Sequence, residues 1–385
     1  MVESVSTSRI NSGPGALAQR GLANLARLAR AAAFRDSMLL LVLAGVWVFF
    51  DFATGGTFLT QRNLVLLALQ TSIVSLAAIS AVMLIVTRNF DLSVGSAVAF
   101  VGVILALLTV KYDVNPWISL VAAVGGGVAM GMWQGLWVAR IGVSSFIVTL
   151  AGMLYFRGLS MIATNGATVA PLPEALTNLA TAFLSPALSI GLIVVFLCGY
   201  LALRIFELNR ARSLELINQF GADLFSVTFP AAIAAVVSIW IASRQGIPYL
   251  VLLVAICAII AELLMRRTRF GARLYAIGGN PEAARLSGIN VKQVIFWNFV
   301  IAGFGYGVTG VALTARVSGA IGGTSLSGGR GRVIGALLGA LLMGSLNNGM
   351  SLMNVPTFYQ NTARGVVLLL AVAIDHIGRA KRVGR

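Results

Sequence analysis

The sequence predicts an all-α fold, a polytopic integral membrane bundle of about 10 to 12 transmembrane helices, and composition, hydropathy and loop charge all favour this class. Apolar residues make up 58% of the 385-residue chain and charged residues 10%, and the mean hydropathy is positive. Soluble domains carry about a quarter charged residues. A crossing needs about 20 helical residues. On that length we place apolar spans near 38–54, 64–86, 92–110, 116–138, 146–162, 184–205, 225–242, 247–265, 294–313, 333–352 and 365–377.

The basic residues predict how the chain is divided. The net charge of +16 comes from 28 basic and 12 acidic residues, and the arginines cluster in the termini and in short loops, where membrane topology explains them without nucleic acid. The first apolar run starts too late for an ordinary cleaved signal peptide. We therefore predict a cytoplasmic tail at 1–37, a transmembrane domain at 38–377 with a cytoplasmic loop at 266–293, and a basic cytoplasmic tail at 378–385.

Loop charge supports the first eight spans and then indicates a missing crossing. With the N-terminus inside, alternation places four basic stretches in the cytosol, as the positive-inside rule requires: Arg88, Arg140, 206–223 and 266–293. After the ninth span the rule fails, because the loop that contains Arg316 and the basic tail would both lie outside. One more crossing is expected between Ala315 and Ser327, where the chain is too short and too rich in glycine to span.

The polar stretch Arg269–Lys292 has the features of a docking element. Asn280 can cap a helix and Pro281 suits a first turn, so a short helix is predicted from Pro281 to Ser287, ending at Gly288. Gly278 and Gly279 before it permit backbone conformations that other residues resist. The candidate docking residues are Gly278, Gly279, Asn280, Pro281, Glu282, Ala283, Ala284, Arg285, Ser287 and Gly288.

Motifs for catalysis and metal binding are missing from the sequence. His376 is the one histidine, and Cys198 and Cys257 lie inside apolar runs, which is unlike zinc sites or His-based triads. The chain contains neither GxxxxGK[ST] nor GxSxG, so P-loop ATP hydrolysis and α/β-hydrolase chemistry are not expected. We predict a non-catalytic chain with no catalytic residue, metal or cofactor of its own.

Polar side chains inside the spans, together with Asp91 in the hairpin between the second and third spans, are candidates for a solute path: Gln70, Asp91, Gln134, Thr149, Arg157, Asn298 and Asn347. Each has a structural alternative. Asp91 can cap a helix, Arg157 can extend to the outer interface, and the amides can bond between helices. Ion-coupled carriers usually show intramembrane acids or histidine. The scarcity of such residues favours a neutral polar solute.

Three glycine ridges predict close helix packing, either within the bundle or in a homodimer. They are Gly127, Gly131 and Gly135; Gly303 and Gly307; and Gly335 and Gly339.

With these residues considered, the chain resembles sugar ABC transporter permeases of the ribose and xylose type, closest to the xylose branch. The matching stretches are FLTQRNL (58–64), TRNFDLSVGS (87–96), SFIVTLAGMLYFRGL (145–159), YAIGGNPEAARLSGINV (275–291), IGGTSLSGGRG (321–331) and GSLNNGMSLMNVPTFYQNTARGVVLLLAV (344–372). The Gly278–Ile289 block is the most diagnostic of them.

The resemblance implies a permease in the bacterial inner membrane that moves a pentose or similar monosaccharide, with xylose expected. It implies three partners besides membrane lipid: a separate ABC ATPase that binds the ATP, a periplasmic sugar-binding protein and a second copy of the permease. Glu282 to Ser287 would then be the helix that couples to the ATPase.

The chain departs from the family pattern at one point. Family members usually carry an additional acidic, alanine-rich short helix before the segment that resembles IGGTSL, whereas here Ala320 runs directly into Ile321. This is the region in which the charge pattern lacks a crossing, so we expect impaired transport.

Two other classes of function are weighed against this one. A self-sufficient secondary carrier or channel for a small neutral solute would need no ATPase, but the ion-coupling residues it usually uses are scarce here. A membrane enzyme would need a catalytic constellation. Neighbouring genes for a sugar-binding protein and an ATPase would separate the permease from both.

Overall fold

The computed structural model describes residues 39–213, 220–318 and 333–367. Within these ranges the fold is helical, apart from one isolated β-bridge between Phe183 and Pro248. The helices are α1 (Leu39–Ala53), α2 (Gln61–Val86), α3 (Val94–Ala106, extended by a π-helical turn Leu107–Lys111), α4 (Pro116–Gly135, extended by Leu136–Ile141), α5 (Ser145–Thr164), α6 (Glu174–Thr181), α7 (Pro186–Ser213), α8 (Phe220–Gln245), α9 (Tyr249–Arg267), α10 (Arg269–Gly279), α11 (Pro281–Leu286), α12 (Val291–Val317), α13 (Val333–Leu352) and α14 (357–367).

The predicted class is confirmed, since eight of the described helices are long and apolar enough to cross a membrane. Most predicted apolar runs coincide with a helix. The 365–377 run and both predicted tails lie largely or wholly outside the described residues. The stretch Arg269–Gly279 was expected to be loop and is instead the helix α10, whose start Thr268 caps by accepting a hydrogen bond from the Gly271 N–H at 3.1 Å.

Helix α2 lies at the centre of the bundle. Thr60 caps its start, and its apolar surface is largely buried because α9, α12 and α13 all pack against it. Burial on all sides is typical of a helix in the interior of a large membrane bundle. Polar side chains on α2 are therefore held between helices.

Helices α4 and α12 approach each other closely through glycines. A Cβ atom at Gly127 would lie 2.7 Å from the Cα of Gly307, and one at Gly131 would lie 2.9 Å from the Cα of Gly303. Backbones can approach this closely only where no side chain intervenes. The first two predicted ridges thus pack against each other within the chain.

The third predicted ridge is not a close contact. A Cβ atom at Gly339 would meet nothing within 4 Å, whereas one at Gly344 would clash with the Thr71 side chain of α2. Helix α13 therefore approaches α2 one turn further along than the motif predicts.

Helices α12 and α13 run in the same direction relative to α2. Asn298 near the start of α12 bonds Thr87 at the end of α2, and Ala312 near the end of α12 packs with Ile73. Helix α13 likewise begins beside Val82 and ends with Asn348 bonded to Asn63. Both helices are therefore antiparallel to α2 and start at the same end of the bundle.

We call this end, where α2 ends and α11 lies, the α11 end. Because α12 leaves it and α13 starts at it again, residues 319–332 join helix ends on opposite sides of the bundle. The predicted missing crossing between Ala315 and Ser327 falls mostly on residues outside the described ranges and stays a prediction. Helix α13 therefore runs in the same direction as α12 and is not inverted relative to it.

Candidate functional site

The predicted docking element is a helix–turn–helix at the α11 end. Helix α10 ends at Gly279, and Asn280 then caps α11 by accepting hydrogen bonds from the N–H groups of Glu282 at 3.0 Å and Ala283 at 3.1 Å. Pro281 occupies the first turn, where its missing N–H has no consequence. Gly288 follows with φ +82°, a left-handed conformation that favours glycine. The predicted capped helix is confirmed, ending at Leu286.

Gly278 and Gly279 have a different role from the predicted one. Both lie in α10, and their φ angles are not positive. A Cβ atom at Gly278 would clash with the backbone oxygen of Val86 at the end of α2. The absence of a side chain therefore allows α10 to contact α2, and no unusual backbone angle is involved.

Helix α11 is anchored on one face and open on the other. Ala284 is buried in a cluster with Val294 of α12 and Ile277 of α10. Ala283 and Ser287 are exposed, and the Leu286 side chain is 79% exposed. The open face of α11 is therefore available for contact with another protein.

An ion pair lies along the open face of α11. Arg285 Nη2 donates to Glu282 Oε1 at 2.6 Å. This hydrogen bond and the charge of Arg285 hold the pKa of the Glu282 carboxyl below its ordinary value, and the same hydrogen bond and the charge of Glu282 raise the pKa of Arg285. The pair is exposed, so it orders the surface more than it stabilises the fold.

A buried polar cluster lies beside the turn between α2 and α3, and we call it the Asp91 cluster. One carboxylate oxygen of Asp91 accepts hydrogen bonds from Ser93 N at 2.7 Å and Ser93 Oγ at 2.6 Å, and the other accepts from Tyr306 Oη at 2.8 Å. Gln134 Nε2 of α4 donates to Ser93 Oγ at 2.6 Å. Thr149 of α5 joins through the backbone oxygen of Phe90 at 3.2 Å. The cluster thus connects α3, α4, α5 and α12.

The environment of Asp91 disfavours its charged form. Burial raises the pKa of the Asp91 carboxyl above its ordinary value, and the hydrogen bonds from Ser93 and Tyr306 oppose this shift. The expectation of a helix cap was right in part, since Asp91 does bond the Ser93 N–H just before α3. The contact with Tyr306 was not predicted.

A second buried group involves Asn298 of α12. Its side-chain nitrogen donates to the Met83 backbone oxygen at 3.0 Å and to Thr87 Oγ1 at 3.1 Å. Asn89 donates to the same Thr87 oxygen at 3.0 Å. The turn that contains Thr87 is therefore bonded to α12, and the chain continues from this turn directly into Asp91.

The remaining path candidates lie apart from these groups. Arg157 is exposed on α5, and Gln70 is half-buried on α2. Asn347 is half-buried on α13, and its buried side-chain oxygen has no hydrogen-bond partner among the described residues. Thr71 Oγ1 of α2 and Asn298 Oδ1 of α12 share this property.

Sequence reasoning missed three contributors, namely Tyr306, Thr87 and Arg88. A tyrosine in a buried helix needs a partner for its hydroxyl, so Tyr306 could have been identified as a bonding residue. Its pairing with Asp91 depends on two segments that are distant in the chain, and no local pattern encodes it.

Comparison with known proteins identifies the family. Residues 63–372 match the family model described as branched-chain amino acid transport system / permease component. The xylose transport system permease protein XylH of Escherichia coli K12 is 38% identical over 362 residues, covering 88% of this chain and 91% of that protein. The ribose import permease protein RbsC of the same strain is 32% identical over 336 residues, covering 83% of this chain and 87% of that protein. No solved structure matches the chain significantly.

The xylose permease protein XylH of Haemophilus influenzae Rd gives information about chain length. It is 36% identical over 362 residues, with 89% of this chain and 96% of that protein covered. Since 89% of 385 residues is about 343, about 19 positions of the 362 have no counterpart in this chain.

This family acts in the bacterial inner membrane together with an ATPase and a substrate-binding protein. The match over most of the chain and the apolar helical bundle show that this protein belongs to the family of multi-pass permease subunits of ABC sugar importers.

Proposed function

We propose that the chain is the non-catalytic permease subunit of a pentose importer, with xylose as its substrate. The observation that carries the proposal is α11, a capped helix with its inner face buried and its outer face open at one end of the bundle. The choice of xylose is supported by the similarity of the chain to the xylose transport system permease proteins of Escherichia coli and Haemophilus influenzae.

The α11 end is proposed to face the cytosol. Arg88 and Arg140 lie at this end together with the basic 266–293 stretch, which is the distribution that the positive-inside rule favours for the cytoplasmic side. A separate ATPase would then seat on Ala283, Leu286 and the Glu282–Arg285 pair. The proposed assembly contains two copies of the permease in lipid, with the sugar-binding protein on the opposite face.

The path candidates divide into three groups. Asp91, Gln134, Thr149 and Asn298 bond other protein groups inside the bundle, so we propose that they fix helix positions. Gln70 and Asn347 lie on α2 and α13, the helices that also hold the unpartnered oxygens of Thr71 and Asn347. Sugar hydroxyls both donate and accept hydrogen bonds. We therefore propose that the contact between α2 and α13 forms the polar side of the solute path. Arg157 lies on the exposed surface of α5 and is assigned no contact with sugar.

Uptake measurements test the proposal. The chain would be reconstituted in proteoliposomes with its cognate ATPase and binding protein, and labelled xylose, ribose and glucose would be supplied with ATP inside or outside. We expect xylose accumulation that requires both partners and ATP on the ATPase side. Uptake without the ATPase would support a secondary carrier instead, and preference for ribose would overturn the substrate.

A further inference from the structure

The junction between α10 and α11 leaves two backbone oxygens without their helical partners. In a continuous helix, the oxygens of Gly278 and Gly279 would accept from the N–H groups of residues 282 and 283. Those two N–H groups donate to Asn280 Oδ1 instead. The end of α10 therefore presents free carbonyl groups and the negative end of its helix dipole.

Arg88 binds these two oxygens. Its Nε donates to the Gly278 oxygen and its Nη2 to the Gly279 oxygen, each at 2.7 Å. A guanidinium has a fixed fork of donors that can hold two acceptors at once, whereas a lysine ammonium is a single point of charge. Arg88 thus caps the C-terminal end of α10, although the two lie about 190 residues apart in the chain.

The backbone at Arg88 is specialised for this contact. Arg88 directly follows the Thr87 cap of α2 and has φ +61°, a left-handed conformation that is unfavourable for a residue with a Cβ atom. Such conformations persist where the surroundings impose them. The side chain is exposed, so the arrangement is not explained by burial of an apolar group.

The same turn holds the interior of the bundle. Thr87 bonds Asn298 of α12, and Asp91 bonds Tyr306 of α12. The backbone oxygen of Val86 touches Gly278 so closely that no side chain fits between them. A shift of α10 and α11 would therefore be passed through Arg88 to a turn that is bonded to α12 and, through Ser93, to α4.

We propose that Arg88 is a positioning residue that transmits movement of α11 to the bundle, so that docking of the ATPase changes the packing of α12. This inference rests on the proposed function, because it requires an ATPase on α11. In this proposal Arg88 couples the docking helix α11 to α12, which bonds Asp91 through Tyr306 and contains Asn298. Its direct role is that of a two-pronged clamp on Gly278 and Gly279.

The test uses the full permease with its ATPase and binding protein in nanodiscs, comparing wild type with Arg88→Ala, Arg88→Lys and the control Arg140→Ala. Arg140 is a cation at the same end that contacts the Phe296 ring and no α10 carbonyl. Three quantities are measured: basal ATP hydrolysis, its stimulation by xylose-loaded binding protein, and the amount of ATPase that copurifies with the permease.

We expect Arg88→Ala to keep basal hydrolysis and the copurified ATPase while losing about tenfold in stimulation, which is the scale of coupling between two sites. Arg88→Lys should recover part of the stimulation, because an ammonium can hold one carbonyl oxygen, and Arg140→Ala should match wild type. Unchanged stimulation in Arg88→Ala overturns the inference and leaves the proposed function intact. Loss of copurified ATPase in parallel with stimulation assigns Arg88 to docking and also overturns it. If wild type shows no stimulation, both proposals fail.

Discussion

Asp91 shows how one carboxylate can order several helices. Its two oxygens are occupied by Ser93 and Tyr306, and Ser93 in turn is bonded by Gln134. A buried network of this kind is favourable only when each member has its partners. The Asp91 cluster therefore fixes the relative positions of α3, α4 and α12.

The raised pKa of Asp91 predicts a pH dependence of stability. Because the folded protein holds the Asp91 proton more tightly than the unfolded chain, this group favours folding most below its unfolded pKa of about 3.9 and loses that contribution as pH rises through the folded pKa. The melting temperature of wild type relative to Asp91→Asn should therefore increase as pH falls through the acid range. Thermal unfolding in detergent from neutral to acidic pH measures it.

Tyr306→Phe sharpens this measurement. It removes a hydrogen bond that lowers the pKa of Asp91, so its folded pKa should rise further and the pH dependence should begin at higher pH. It should also destabilise the fold by about 1.5–3 kcal/mol, the range for a hydrogen bond to a charged group. If the melting temperatures of wild type and Asp91→Asn change with pH in the same way, Asp91 does not titrate as described.

At this scale, residue type predicted the presence of polar contacts but not the partners. Asp91, Gln134, Thr149 and Asn298 could be selected because polar groups are rare in apolar helices. Which of them bond to protein depends on helix packing between distant segments. Arg88 could not be selected, since a single arginine in a basic loop is equally well explained by topology.

At the level of elements, the contact between α4 and α12 depends on glycine at particular positions. Gly131→Ala should place a methyl group 2.9 Å from the Cα of Gly303, and overpacking of this kind costs about 1–3 kcal/mol. A decrease in melting temperature is expected, together with a lower yield of folded protein.

Gly125→Ala is the matched control on the same helix. A Cβ atom there would meet nothing within 4 Å, and alanine favours helix over glycine by up to about 1 kcal/mol. We expect wild-type or slightly higher stability. If Gly131→Ala and Gly125→Ala have the same melting temperature, the close packing of α4 on α12 is refuted.

The existence and ends of helices were more predictable than their contacts. Asn280, Pro281 and Gly288 predicted α11 because each has a specific effect on the backbone at a helix end. Helix α10 was missed because its polar composition resembles a loop, and its burial at Leu274 and Ile277 comes from packing on other helices.

For the whole molecule, the direction of α13 is the most consequential feature. Helices α12 and α13 both start at the α11 end and run in the same direction. Residues 319–332 therefore connect helix ends that lie on opposite sides of the bundle. As a helix that segment would reach about 20 Å, against about 30 Å for the hydrocarbon layer. Loop charge predicts a missing crossing in this region, and this stays a prediction.

If a crossing is missing here, restoring it should increase both transport and thermal stability. Insertion of an alanine-rich, family-like stretch of about 18 residues between Ala320 and Ile321 would supply a helix able to complete the crossing. We expect faster xylose uptake and a higher melting temperature. A Gly/Ser insertion of equal length controls for length alone, since it cannot form an apolar helix. Equal uptake by the original and restored chains would show that the added crossing is dispensable.

The central claim, that α11 is where the ATPase docks, is tested most directly by cross-linking. Ala283→Cys would be introduced in a chain whose Cys198 and Cys257 are replaced by alanine, with Asn178→Cys on α6 at the opposite end as the control. Both positions are exposed. A short bifunctional thiol–amine reagent should join Ala283→Cys to the ATPase and should leave Asn178→Cys unlinked. If the complex assembles and hydrolyses ATP while Ala283→Cys forms no cross-link to the ATPase, the assignment of α11 is contradicted.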